Sequence, residues 1–72
     1  MIPVEHIARL AELYDQYNNA LDPFSERCLK AKREFEELCG RLQSARAPDI
    51  ATAEFRYELV RQCREYLRKN PL

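Results

Sequence analysis

One spacing constrains this chain more than any other feature: from Ile7 to Ala45, apolar or small residues recur at alternating steps of three and four. The run is Ile7, Leu10, Tyr14, Tyr17, Leu21, Phe24, Cys28, Ala31, Phe35, Leu38, Leu42 and Ala45. It is the pattern of helices that meet along a narrow seam. The run also passes over Pro23, which inside a helix lacks the N–H its turn needs and costs about 3 kcal/mol. Two architectures satisfy both facts. The chain folds back near Asn19 into an antiparallel helical hairpin, or one long, proline-kinked helix zips against another chain. Asp22 before Pro23 reads as an N-cap followed by proline at the first helical position, where the missing N–H costs nothing. The hairpin is therefore the expected form.

A second punctuation point is Ala47-Pro48-Asp49, where Pro48 disfavours helical geometry at Ala47 and Asp49 can cap a third helix. Between these points Ala, Leu, Glu, Lys, Arg and Gln dominate, and the single glycine, Gly40, is followed by Leu42 and Ala45 in unbroken register. The expectation is an all-α, three-helix protein forming a single helical domain over residues 1–72. Its hairpin comprises helices over about 3–19 and 23–46, with a third helix over about 50–69. On that third helix, Ala53, Phe55, Leu59, Val60, Cys63, Tyr66 and Leu67 spread over an arc of about 160°. Such a face suits a helix lying against both arms of the hairpin, or against the hairpin and a second subunit. Arg56 falls within the arc, where its stem is expected to snorkel along apolar surface while the guanidinium reaches water or a carboxylate, rather than form a specific ion pair across an interface.

Chains below roughly 70–80 residues rarely build a core worth more than a few kcal/mol unaided. This one has 72 residues. Disulfides, a metal or oligomerisation are the usual aids. Cys28, Cys39 and Cys63 are odd in number and not paired in spacing, and Met1 to His6 has neither the basic start nor the apolar run of a secretory signal. Free cysteines acting as small hydrophobes in a reducing cytoplasm are the expected state. One histidine, His6, without a C-x-x-C pair, supports no zinc site, and no other cofactor is implied. Oligomerisation remains. No apolar stretch approaches the roughly 18 residues of a membrane span, so no membrane partner is expected.

Enzymatic chemistry finds no foothold. There is no glycine-rich phosphate loop, no H-E-x-x-H and no E-x-x-H pair, and a Cys–His nucleophile would depend on His6 alone. No catalytic residue is assigned. Lys plus Arg equals Asp plus Glu at 12 each, so no overall field steers the chain to nucleic acid. Residues 1–40 hold eight acids against five bases, a balance of −3, and residues 41–72 carry the compensating +3.

The function this pattern supports is helix-mediated association, with another copy of the chain (a dimer favoured) or with a helical protein partner. Tyrosine and arginine tend to anchor interfaces, and a tyrosine hydroxyl sits poorly in a fully apolar core. The expected interface set is Tyr14, Tyr17, Phe35, Leu38, Leu42, Phe55, Leu59 and Tyr66. The alternative is a small nucleic-acid-binding regulator using the basic strip of the third helix: Arg61, Arg64, Arg68 and Lys69. Glu54, Glu58 and Glu65 run beside that strip and partly cancel its field.

Overall fold

The computed structural model describes residues 2–71, and its helices are α1 (Val4–Asn18), α2 (Glu26–Arg46) and α3 (Thr52–Lys69). The described residues contain no strand, and the all-α, three-helix expectation holds. α1 and α2 pack on each other, so the chain folds back rather than continuing as one helix. Their directions follow from two contacts. Tyr17 O accepts a hydrogen bond from Cys28 Sγ at 3.6 Å, while Arg9 NH2 lies 2.8 Å from Glu34 Oε2. Late α1 therefore meets early α2, as an antiparallel pair must. Arg56 of α3 is paired with Glu36 of α2, and Gln43 Nε2 donates to Ile50 O at 2.8 Å, so α3 runs back along α2 in turn.

Helix ends show which local chemistry prevailed. α2 starts three residues later than Asp22-Pro23 implied. Its N-cap is Ser25, in extended geometry, whose Oγ accepts from Cys28 N at 3.2 Å. Asp22 instead builds the turn before the helix: its Oδ1 accepts from Phe24 N at 3.0 Å and its carbonyl from Ser25 N at 3.1 Å. Pro23 thus occupies the second position of a turn, a place its fixed φ suits equally well. α3 also begins later than expected, after Ala51, which has no side-chain cap, so Asp49 does not fill that role. Gly40 lies within α2, as its surrounding register implied, and a Cβ there would meet open space.

α3 lies against both arms of the hairpin, as its broad face implied, but α1 is the helix most enclosed by its two neighbours. α1 packs against both α2 and α3, whereas α2 and α3 meet sparsely. Ile7, Leu10, Ala11, Leu13 and Tyr14 are all buried, a stripe much wider than a two-per-heptad seam. From α2 come Cys28, Ala31, Phe35, Cys39 and Leu42; from α3 come Phe55, Leu59 and Cys63. Phe35 packs on both tyrosines of α1, its ring 5.5 Å from Tyr17 and 6.3 Å from Tyr14, centre to centre. The middle and the last position of the expected seam fall outside the core: Leu21, Phe24 and Ala45 are exposed. The turn takes Leu21 and Phe24 off the helical path, and Ala45 lies in the last turn of α2.

The guanidinium of Arg56 reaches a carboxylate at the core edge, Glu36 of α2. Both side chains are about half exposed, so solvent screens the pair, and surface pairs of this kind contribute about 1 kcal/mol or less. The core carries the stability. Truncating a buried phenylalanine costs about 3–5 kcal/mol, comparable to everything a domain of this size has. Phe35→Ala should therefore unfold the chain at room temperature, whereas Leu38→Ala, at a half-buried site, should lower the melting temperature and leave a cooperative transition. Circular dichroism against temperature checks both.

Candidate interaction surfaces

The residues expected to face a partner lie mostly inside the subunit. Phe35, Leu42, Phe55 and Leu59 are buried in the intramolecular core, and Tyr14 is buried with them. Tyr17, Leu38 and Tyr66 are partly buried against that core. The hydroxyl of Tyr14 solves the problem that suggested an interface. It accepts a hydrogen bond from Arg64 Nε at 3.0 Å, and the Arg64 guanidinium sits 6.0 Å from the Tyr14 ring centre. α1 thus offers α3 a polar anchor at the margin of the apolar contact.

Burial pushes the Tyr17 hydroxyl up to about 12 from its ordinary 10.0, and neighbouring Tyr14 adds to the effect. It likewise pushes the thiols of Cys39 and Cys63 up to about 11 from 9.0, with Cys63 adding to the shift at Cys39. Thiols held protonated are poor nucleophiles, which fits cysteines acting as packing. The sign of the linkage is direct. The folded chain keeps these protons after the unfolded chain would have released them, so the stability is complete below pH 9.0 and is lost as pH rises through 9.0 toward about 12. The melting temperature should hold level up to that point and then fall, and Tyr17→Phe should flatten the upper part of the fall. A pH series of thermal melts measures it.

The basic strip of α3 is divided by its own acids. Arg61 forks onto Glu58, with Nε 3.1 Å from Oε2 and a second short contact to Oε1, and its NH1 lies 3.5 Å from Glu65. That contact holds Glu58 below the usual carboxylate range. Lys69 Nζ is 3.7 Å from Glu65. Arg64 donates to the Tyr14 hydroxyl, and Arg68 makes no ion pair among the described residues. Two of the four strip cations, Arg64 and Arg68, are therefore left without a carboxylate.

Those two arginines border an open groove of about 810 Å³ along the outer side of α3. Ala53, Tyr57 and Val60 supply its apolar wall, and Arg56, Arg61, Arg64, Glu65 and Arg68 its polar margin. All of these residues belong to α3, so no other segment among the described residues lines the groove. Tyr57 is 73% exposed. The wall was legible in principle: Ala53, Tyr57, Val60 and Arg64 follow the same steps of four and three as the hairpin seam, on the side of α3 away from Phe55 and Leu59. Ala53 and Val60 lie at the edge of the richer core-facing arc, which masked it.

A second apolar surface forms the turn between α1 and α2. Leu21 is fully exposed and Phe24 is 82% exposed. With Ser25 as N-cap, Phe24 and Leu29 occupy the positions flanking the first turn of α2 that commonly pair as a hydrophobic staple. Leu29 is exposed as well, so any such pairing lies on the surface. Sequence reasoning missed this feature because it assigned Asp22 the capping role and so threaded Leu21 and Phe24 into the seam.

Among the described residues no group of three His, Cys, Asp or Glu side chains is arranged to hold a metal ion, and no helix is long and apolar enough to cross a membrane. The chain matches no protein-family model, no curated protein and no solved structure.

Proposed function

We propose that this chain is a helix-mediated interaction module that assembles with further copies of itself. The observation that carries the reading is the groove of α3, where exposed Tyr57 and Ala53, with Val60 packed partly against the core, form an apolar wall that no other described segment covers. An apolar surface of this kind, bordered by polar residues, gains free energy when covered, at roughly 25 cal/mol per Å² removed from water. A tyrosine flanked by arginines is also the residue pairing most often found at the energetic centre of interfaces. A short chain supplies the second argument. Its core leaves little margin, and association of the folded form adds stability by mass action.

This reading moves the contact from the set expected on sequence alone to the outer side of α3. Leu59 consequently tests folding rather than assembly, since an unpaired carboxylate at a fully buried site is costly to desolvate. Tyr57 is the discriminating position. Glutamate there preserves helix propensity, removes the ring and engages the adjacent arginines.

Nucleic acid is the competing reading, favoured by Arg64 and Arg68 alone. Two available cations release few counterions, which gives weak and shallowly salt-dependent binding. Light scattering on a sizing column at two protein concentrations should show the wild-type mass rising with concentration and Tyr57→Glu remaining a monomer with unchanged helicity. A wild-type monomer at high micromolar concentration, or tight and steeply salt-sensitive binding of a DNA or RNA oligomer, contradicts the proposal.

A further inference from the structure

The exposed surfaces of the chain are complementary to one another. We infer that the α1–α2 turn of one copy, carrying Leu21 and Phe24, docks into the α3 groove of the next, so that copies join head to tail. The inference rests on the self-association reading and names the occupant of its groove.

Three observations converge on this pairing. The first is apolar surface: Leu21 and Phe24 project from the turn almost fully exposed, and the groove offers Ala53, Tyr57 and Val60 with nothing from its own chain across them. The second is charge. The turn carries two carboxylates, Asp22 and Glu26, with Arg27 following, while the groove margin holds two arginines, Arg64 and Arg68, that pair with no carboxylate among the described residues. Opposite charges at the edge of an apolar contact fix its orientation and discourage wrong partners.

The third is preorganisation. Asp22 closes the turn with two hydrogen bonds, at 3.0 Å to Phe24 N and 3.1 Å to Ser25 N, and Pro23 fixes the backbone between them. Ser25 then locks the start of α2. A loop already held in shape loses little conformational freedom when it docks, so more of the contact energy appears as affinity.

The symmetry consequence is definite. The turn and the groove are different surfaces, so their contact is heterologous and does not close on itself as a two-fold dimer does. Each open assembly keeps one turn free at one end and one groove free at the other, and mass grows with concentration past two copies or closes into a ring. A pairing of α3 with α3 across a two-fold axis would instead stop at the dimer and leave the turn unused.

Mixing two full-length variants tests this. Leu21→Ser with Phe24→Ser disables the turn at exposed positions, and Tyr57→Glu disables the groove; circular dichroism confirms that both remain folded. Each alone should stay monomeric, its association constant reduced about tenfold or more by the loss of buried apolar side chains. An equimolar mixture should form a heterodimer and nothing larger, because only one intact turn and one intact groove remain between the two chains. Assembly of the turn variant at wild-type strength overturns the inference while leaving self-association standing. A mixture that stays monomeric overturns it too. A wild-type chain that never assembles removes both proposals together.

Discussion

Everything in this fold depends on burying α1 from two sides. A helix of 15 residues has room for only about four turns, and this one places Leu10 and Ala11 wholly out of solvent with Ile7, Leu13 and Tyr14 nearly so. No narrow seam could do that. α2 covers one flank of α1 and α3 another, and because those two helices meet each other sparsely, the shortest helix is the one through which the other two are joined. The residues on α1 must accordingly be compact. Ala11 lets a neighbour approach closely, and Tyr14 spans from the aromatic cluster with Tyr17 and Phe35 to the guanidinium of Arg64.

How far this was readable without coordinates depends on the type of signal. Helix number, the fold-back and the core positions of α2 came from spacing and punctuation, because a three-and-four repeat and two prolines leave few alternatives. Leu13 and Ala11 were not read as core, although their adjacency to Leu10 and Tyr14 widens the α1 stripe beyond a seam. The apolar arc of α3 was read as a face against both hairpin arms, and α3 does meet both, but breadth on a wheel tells how much surface is apolar and not how unequally the neighbours share it. Asp22 and Ser25 are both good caps, three residues apart, and local preference alone does not rank them; the turn that Asp22 makes with Phe24 and Ser25 decides between them.

The candidate surfaces were less legible than the fold for a related reason. Function on a chain of this kind lies in what the core leaves over, so it can be located only after the core is known. Tyr14 and Leu59 looked like contact residues until α1 and α3 were seen to consume them, whereas Tyr57, in none of the expected sets, stands in uncovered surroundings. Charges behave similarly. The acids beside the strip on α3 were legible as partly cancelling its field, but only the structure shows which cations they take: Glu58 and Glu65 engage Arg61 and Lys69 and leave Arg64 and Arg68 as the available pair.

The central place of α1 also bears on the order in which the protein can form during synthesis. The helix that every other element needs is the first to be made, and it has nothing to lie against until most of α2 has emerged. The five-residue connection from Ala47 to Ala51 then has to be complete before α3 can turn back and cover the remaining flank. For that interval the growing chain is a two-helix hairpin with one apolar side of α1 in water. Such exposure invites the α3 of a neighbouring nascent chain as readily as its own, so this arrangement of helices carries an intrinsic route to helix exchange between copies translated close together, with α3 as the exchanged element.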